Sequence, residues 1–336
     1  MQRVYAIALS LFVSAFAVLA GRTFAGEHPT DPFLGDWQGE KMVAQVIPRS
    51  SVKYQINLLP GFDVKCEPLA VLDANVADGV LRFDQDGWKG EVKGEGFVGV
   101  GVIAGKAMTF DLKRVVRPSP SVGAEPPEGA IVLFDGSGFD HWQVHRSRIP
   151  STKIVWELHG DCMRVTPIDN KSPAGHSIAT KQAFQDFRLH LEFRLPLMAD
   201  KTGQARANGG LTFEDYSWYE VQILDSYGLE GLDNECGGVY KIAAPAVNMC
   251  RPPLMWQTYD IEYHAPRYAE DGIRVRPGRM SVNHNGTQIH KDVVLPDPPK
   301  AQQRRKAKPD SATVGRIILH YHKNPIEYRN IWLENL

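Results

Sequence analysis

The sequence predicts an all-β protein in two parts. Most segments alternate apolar and polar residues with a period of two, and Gly, Asp, Asn and Pro separate them. We find no convincing amphipathic helix in residues 31–116, and a Pro-rich stretch at 118–129 divides the chain. We therefore predict a small all-β accessory domain over 26–117, a semi-rigid linker over 118–129, and a sandwich or jelly roll over 130–336.

The strands that we expect follow from this alternation and from β-branched runs. In the first domain they cover 43–47, 53–59, 80–83, 99–103 and 107–112. In the second they cover 130–134, 154–158, 162–165, 188–195, 209–213, 218–224, 256–263, 279–284 and 316–322. Asn285-Gly286 predicts a hairpin turn after the strand at 279–284. The Gly-rich piece at 93–105 alternates with Val and Phe, which favours tight β-turns over a phosphate-binding loop.

Residues 1–25 predict a cleaved secretion signal. Arg3 precedes an apolar run at 4–20, and Thr23-Phe24-Ala25 is a suitable cleavage site. The run is short for a bilayer span, which favours a signal over a membrane anchor. We expect export to the periplasm or the extracellular space, without membrane insertion after signal cleavage.

The charge balance gives no indication of a nucleic-acid partner. Lys and Arg total 38 and Asp and Glu total 39, and the basic run at 304–308 is expected to be a solvated loop. The chain has no Walker-type motif and no dinucleotide fingerprint after a strand.

The chain has four cysteines, at Cys66, Cys162, Cys236 and Cys250. In an oxidising compartment we expect Cys236 and Cys250, which are close in sequence, to form a disulfide. Cys66 and Cys162 fall in different predicted domains and are expected to stay free. With no CxxC and no HExxH pattern, we do not expect a structural zinc site.

Residues 219–228 (YEVQILDSYG) form the most informative stretch. As a strand it places Tyr219, Val221 and Ile223 on an apolar face, and the opposite face carries Trp218, Glu220 and Gln222 before the chain reaches Asp225. Carboxylates and amides hold sugar hydroxyls, and aromatic rings cover sugar C–H surfaces. This pattern predicts a carbohydrate site.

Ordered motifs along the second region resemble one bacterial family. They are LFDG (133–136) with Trp142, NGGL (208–211), 219–228, ECGGVY (235–240), Ala244-Pro245 with Asn248, WQTYDI (256–261), APR (265–267), HNG (284–286) and YRNIW (328–332). The sequence is similar to the 3-keto-disaccharide hydrolases, or 3-keto-glucoside 1,2-lyase/3-keto-2-hydroxy-glucal hydratases, over about 130–336. The resemblance implies a concanavalin-like jelly roll that acts on 3-keto-glycosides by 1,2-elimination, hydration or both.

Two positions depart from the family pattern. Leu211-Thr212-Phe213-Glu214 stands where the family has Asn-Ser-Gly-Ile followed by a Leu-Arg-Gly turn, so that arginine is missing. The usual Leu-Gln-Asp-His-Gly is Leu319-His320-Tyr321-His322-Lys323, which keeps His322 but replaces Gln and Asp.

Elimination next to a ketone needs a base, an acid and a group that stabilises the enolate. Glu220 is our first candidate for base or acid, against the alternative of a strand carboxylate paired with arginine. Asp225 would be the partner carboxylate if the strand bulges or ends before it, and otherwise caps a turn. His322 is the candidate imidazole because histidine titrates near neutral pH, against a core histidine.

For substrate binding we consider Gln222, Glu235, Tyr240, Trp256 and Arg329. Glu235 would line the site or brace its loop, Tyr240 and Trp256 would stack on sugar or lie in the core, and Arg329 would hold the enolate or form a salt bridge. The sequence identifies no cofactor with certainty, and a divalent metal held by His320, His322 and nearby carboxylates is an open option.

Two other functions remain open. One is a non-catalytic carbohydrate-binding protein on the same fold. The other is a laminarinase-type glycoside hydrolase, because Glu220-x-Gln222-x-x-Asp225 echoes an E-x-D-x-x-E strand whose paired carboxylates flank a glycosidic bond.

Overall fold

The computed structural model describes residues 31–145, 152–168, 175–213, 219–271, 273–297 and 315–336. Within these ranges the chain is all-β, and its single helical element is a 3-10 turn at Gly203–Ala205. The predicted fold class is confirmed. The expected signal at 1–25 and basic run at 304–308 lie outside the described residues. No described helix is long and apolar enough to span a membrane.

The first region is a closed antiparallel barrel. Its eight strands, each paired with the next and the last with the first, are β1 Gly35–Gln38, β2 Val43–Pro48, β3 Lys53–Leu59, β4 Ala70–Ala77, β5 Val80–Gln85, β6 Trp88–Lys93, β7 Gly96–Ile103 and β8 Lys106–Val115. Buried aromatic side chains fill the barrel. Gly101 makes room for one of them, because a Cβ there would lie 2.1 Å from the Trp88 ring. The expected tight turns occur at Gly94 and Gly105, but β7 runs between them.

The second region is a sandwich. Its strands are β9 Ile131–Phe134, β10 Trp142–His145, β11 Glu157–His159, β12 Cys162–Arg164, β13 Ser177–Thr180, β14 Phe187–Arg194, β15 Leu211–Phe213, β16 Tyr219–Val221, β17 Trp256–His264, β18 Arg267–Tyr268, β19 Arg274–Arg276, β20 Gly278–His284, β21 Thr287–Leu295, β22 Ile317–Leu319 and β23 Glu327–Asn335. Apart from the small β18–β19 pair, they form two sheets that enclose one hydrophobic core.

The two sheets of the sandwich differ in size. The five-stranded sheet has the order β10-β13-β22-β15-β16, and the eight-stranded sheet has the order β11-β12-β23-β14-β17-β20-β21, with β9 also on β23. In β14, alternate residues Leu189, Leu191 and Phe193 point into the core, as their period of two predicts. The predicted Asn-Gly turn joins β20 to β21, with Asn285 and Gly286 at positive φ.

The barrel packs directly on the sandwich. Leu34 and Ile47 of the barrel belong to the sandwich core, and Ile47 lies against Gly228. The Tyr227 hydroxyl donates to Asp36 at 2.7 Å. Arg117 binds both Asp36 and Asp63, and Arg251 reaches Asp63 from the sandwich. The sandwich is therefore held to the barrel by both polar and apolar contacts.

The Pro-rich segment between the two regions lies along the eight-stranded sheet. Ser119 and Ser121 hydrogen-bond Thr258, and Ser121 also donates to Asp260. The Gly123 amide donates to Glu192. These contacts fix the segment's path across the outer face of that sheet and bury the polar groups beneath it.

Candidate active site

A group of polar side chains lies on the outer face of the five-stranded sheet. The register pairs Thr212 of β15 with Glu220 of β16 and with Ile318 of β22. Directly opposed residues of antiparallel strands point to the same face. Tyr219 and Val221 point into the core, as predicted. Trp218, predicted on the opposite face, lies outside the described residues.

Glu220 is paired with His320 on this face. A carboxylate oxygen of Glu220 lies 3.2 Å from His320 Nδ1, and each side chain is about one-seventh exposed (13% and 14%). The other ring nitrogen of His320, Nε2, lies 3.2 Å from the Thr212 hydroxyl. His320 therefore orients the Glu220 carboxylate and is itself oriented by Thr212.

Gly210 makes this pairing possible. It lies opposite His320, whose amide donates to the Gly210 carbonyl, and a Cβ at Gly210 would lie 2.1 Å from Glu220 Oε1 and 2.8 Å from His320 Nδ1. Its φ of 152° is also rarely adopted by other residues. The missing side chain leaves the space through which Glu220 reaches His320.

His322 lies next to this pair, with its ring centroid 5.7 Å from that of His320. The residue is exposed, although neighbouring groups desolvate its ring in part. That partial burial, and then the neighbouring His320, lower the pKa of His322, while Glu220 acts in the opposite direction. A lowered pKa keeps the imidazole neutral at pH 7, the form that can accept a proton.

Tyr240 and Gln222 extend the same face. The segment at 237–240 pairs with β16 through a bridge between Val221 and Val239, and the Tyr240 amide donates to the Glu220 carbonyl at 2.9 Å. This register places the Tyr240 side chain beside Glu220. Gln222 is buried, and its amide reaches Gln204 at 3.3 Å. Tyr240 is the predicted aromatic that the structure brings to Glu220.

Asp225 does not join Glu220. It lies past the end of β16, where its carboxylate accepts a 2.6 Å hydrogen bond from Arg206 and a second bond from the Tyr227 amide. Burial raises the pKa of Asp225 despite the Arg206 charge. Its ion pair is sealed from solvent, so the alternative of a structural role is the one that the geometry supports.

Arg329 and Trp256 lie together on the other sheet. Arg329 binds Glu192 at 2.7 Å and Asp161 at 3.0 Å, and its guanidinium lies over the Trp256 ring with 4.0 Å between guanidinium carbon and ring centroid. Arg194 covers the same ring at 4.8 Å. Trp256 is stacked on arginines and Arg329 is in salt bridges, so neither belongs to the Glu220 group.

Glu235 braces its own loop. One of its carboxylate oxygens accepts the amides of Gly231 and Leu232 at 2.7 and 3.0 Å. This is the structural alternative considered from the sequence.

The predicted disulfide between Cys236 and Cys250 is not formed in the structure. Both are buried free thiols that are hydrogen-bonded to each other. Cys236 Sγ also lies 3.3 Å from the Tyr259 hydroxyl, and Cys250 Sγ contacts the Leu224 carbonyl at 3.7 Å. Burial raises the pKa of Cys250 well above its usual range, which keeps it a thiol.

The sequence did not assign His320, Thr212 or Gly210 to the site. His320 was considered as a departure from the family pattern and as a possible metal ligand with His322, but not as a partner of Glu220. Its spacing of two from His322 was the available signal, since residues i and i+2 of a strand share a face. The described side chains whose possible ligand atoms lie close together are elsewhere in the fold, and a metal held by His320 and His322 stays a prediction.

The fold and this site define an all-β, carbohydrate-active class of enzyme. A model of the 3-keto-alpha-glucoside-1,2-lyase-like domain matches residues 129–334. The chain belongs to that family, as its motifs predicted.

The chain is also similar to solved structures. A proposed glycosyl hydrolase of Parabacteroides distasonis is 30% identical, with a TM-score of 0.51, over 62% of this chain and 84% of that chain. A second such protein of the same organism is 15% identical, with a TM-score of 0.44, over 62% and 95% of the respective chains. No protein of curated function is significantly similar to this chain.

Proposed function

We propose that this protein cleaves 3-keto-glycosides by 1,2-elimination followed by hydration. The observation that carries the proposal is the Glu220–His320 pair with His322 beside it, on one face of the five-stranded sheet. A carboxylate and a neutral imidazole within one small cluster supply the acid and base that elimination requires. Family membership supports the same substrate class.

The first step removes the proton at carbon 2, which the ketone at carbon 3 acidifies. In our proposal His322 is the base, because its lowered pKa keeps it neutral at pH 7. The electron pair of the C2–H bond forms the enolate and then the C1–C2 double bond as the C1–O bond breaks. The leaving oxygen takes a proton from solvent or from the protonated form of Glu220, and the alcohol departs.

The second step adds water to the 3-keto-2-hydroxy-glucal. Hydroxide bonds to carbon 1 and a proton returns to carbon 2, so the two steps together equal hydrolysis. In this step Glu220 accepts the proton of the attacking water, and the imidazolium of His322 returns its proton. His320 acts as a positioning residue, because it holds Glu220 over Gly210.

The geometry argues against the laminarinase-type alternative. That mechanism needs two carboxylates about 5 Å apart on either side of a sugar. Asp225, the second carboxylate of the motif, is 2% exposed and is bound to Arg206. A substrate cannot reach it without breaking a buried ion pair.

The experiment compares a 3-keto-glucoside with its unoxidised parent, each with and without added divalent metal, and measures release of the alcohol. We expect release from the keto compound alone, with kcat/KM reduced roughly 10²–10⁴-fold in Glu220→Gln and His322→Ala. Glu230→Gln is the matched control, since Glu230 is an exposed carboxylate on the loop after the same strand.

The reaction run in D₂O separates elimination from direct hydrolysis. Elimination and hydration place deuterium at carbon 2 of the released sugar, whereas direct displacement keeps the original hydrogen, and product incubated without protein measures background exchange. Release from the parent would indicate an ordinary glycosidase. Binding of both compounds without release from either would indicate a carbohydrate-binding protein.

We also propose that the protein is exported, to the periplasm or the extracellular space. The support is the apolar run at 4–20, preceded by Arg3 and followed by small residues. Sequencing the amino terminus of protein from fractionated cells tests this. A mature terminus near residue 26 in the exported fraction is expected, and an intact Met1 in the cytoplasm would contradict it.

A further inference from the structure

A second cluster of ligating side chains lies outside the proposed active site. His159, Cys162 and Glu327 each direct one possible ligand atom to a common point, and these atoms all lie within 4.8 Å of one another. His159 Nδ1 is 3.0 Å from Glu327 Oε1. The cluster lies at the β11–β12 end of the eight-stranded sheet, where β12 pairs with β23.

The backbone fixes two of these residues against each other. His159 and Cys162 are a directly opposed pair in the β11–β12 hairpin, joined by a two-residue turn. Gly160, the first residue of that turn, has a φ of 64°. The turns that favour two-residue hairpins need a positive φ at this position, which glycine adopts readily. The pair therefore presents an imidazole and a thiol on the same face of the sheet.

Glu327 is held from the adjacent strand. Its Oε2 accepts a 2.6 Å hydrogen bond from Arg194, which leaves Oε1 directed at His159. Arg194 is itself anchored over the Trp256 ring. A ligating carboxylate is commonly oriented in this way by a hydrogen bond to its second oxygen.

We propose that His159, Cys162 and Glu327 form a binding site for a divalent metal of the zinc type. Imidazole, thiolate and carboxylate are the ligands that Zn²⁺ takes, at about 2.0–2.3 Å. The ion replaces the proton shared by His159 and Glu327, and it displaces the proton of Cys162 to solvent. Water completes the four ligands, since the His159 side chain is 51% exposed.

Cys162 is buried next to His159, and its Sγ donates to the His159 carbonyl at 2.8 Å. A dication at this position would favour the thiolate over the thiol, because metal coordination stabilises the deprotonated sulfur.

Sequence patterns did not predict this site. Two ligands are separated by two residues in a hairpin, and the third comes from the last strand of the chain, so no local metal-binding motif is present. His159 and Cys162 oppose each other in the hairpin, and Glu327 comes from β23, which pairs with β12. This proximity can be recognised only once the order of the strands in the sheet is known. The site does not depend on the proposed enzymatic function.

Cobalt(II) titration of the purified, reduced protein tests the proposal. Tetrahedral cobalt bound to a thiolate gives a near-ultraviolet charge-transfer band and intense visible bands. We expect both in the wild type, saturating at one cobalt per chain and lost when equimolar zinc is added. They should be absent in Cys162→Ser and His159→Ala, and present in the matched control Cys66→Ser, which removes an exposed cysteine.

Two outcomes would overturn the proposal: no charge-transfer band in the wild type, or a band that survives in His159→Ala. His159 is largely exposed, so that variant is expected to fold even if the buried Cys162→Ser does not. Thermal melting gives a second measurement. Zinc should raise the melting temperature of the wild type and leave that of His159→Ala unchanged.

Discussion

The two sheets of the sandwich hold their charged side chains in different ways. On the five-stranded sheet, Glu220 has a single ionic partner, His320, and both side chains are partly exposed. On the eight-stranded sheet, Glu192 is fully buried and is bound by Arg329, Asn330 and the Gly123 amide. The first arrangement leaves a carboxylate oxygen available to a substrate, and the second leaves none.

The number of partners and the exposure of a carboxylate distinguish a reactive group from a structural one better than residue type does. Both groups contain a glutamate beside a histidine, and His190 near Glu192 stacks on Trp332 with 4.9 Å between ring centroids. The hydrogen bonds that Glu192 accepts, including one from the Gly123 amide, hold the linker segment on the sheet and stabilise the native state. The predictions below test this division, beginning with the largest expected effect.

The exchange of one carboxylate for an amide on each sheet should give opposite results. Glu220→Gln is expected to lower kcat/KM on a 3-keto-glucoside roughly 10²–10⁴-fold, with little change in the free energy of unfolding. Glu192→Gln is expected to lower that free energy by about 3–5 kcal/mol, because it removes the buried carboxylate that faces the Arg329 guanidinium and leaves the exposed Asp161 on its other side, while the folded fraction keeps its activity. Urea unfolding and steady-state kinetics on both variants measure this, and equal losses of stability would contradict the division.

Acid should destabilise the protein through Glu192 on the eight-stranded sheet. Burial alone would raise the pKa of Glu192, but hydrogen bonds from His190, Asn330, the Gly123 amide and Arg329 outweigh it and lower the pKa to about 2, from an ordinary value of 4.5. A carboxyl with a lowered native pKa contributes stability above its unfolded value and loses it as the pH falls through its native value. Between pH 4.5 and 2 the wild type should therefore lose about 3 kcal/mol that Glu192→Gln lacks at every pH.

The measurement is the free energy of unfolding of both proteins as a function of pH. The two curves should converge as the pH falls, whereas Glu230→Gln should run parallel to the wild type. A constant offset between Glu192→Gln and the wild type down to pH 3 would show that Glu192 does not carry this pH dependence.

Removing the space beneath Glu220 should lower activity beyond what backbone strain explains. In Gly210→Ala the positive φ adds strain, and the new Cβ would meet the ends of the Glu220 and His320 side chains, which can move. A displacement of about 1 Å at a reacting group can lower the rate up to about 100-fold. Gly105→Ala is the control for the strain, since its φ is also positive and a Cβ there has no atom within 4 Å. Unchanged kinetics in Gly210→Ala would show that the position of Glu220 over Gly210 is not needed for activity.

Features set by residues close together in the sequence could be predicted, whereas contacts between distant segments could not. The alternation in β14 and in Tyr219–Val221 predicted strands and their faces correctly, because a face is a local property. Several strands were missed, among them β4, β6, β10, β13, β21 and β23. In β4 and β6, polar and glycine residues interrupt the apolar pattern.

Contacts between separate elements were harder to predict. The ion pair of Asp225 with Arg206 and the placement of Arg329 on the sheet opposite Glu220 depend on sheet order. Alternation gives a residue's face but not the sheet that the strand joins. For the same reason Glu220 and Tyr240 were found from one continuous motif, whereas the pairing of Glu220 with His320 was not.

The smallest expected effect is a shift in the pH profile of kcat/KM. It tests the role of His320, the residue that departs from the family pattern. Burial and the neighbouring His320 lower the pKa of His322 below its ordinary 6.5, so kcat/KM should hold at pH 6.5 and fall only as the pH drops through that lower value. His320→Gln restores the family's usual residue and removes one positive neighbour, which should raise the pKa of His322 and move the acid limb of the profile to higher pH. His141→Gln, at an exposed position outside the cluster, should leave the limb in place. If the limb does not move in His320→Gln, His322 is not the base, and the acid limb reports another group.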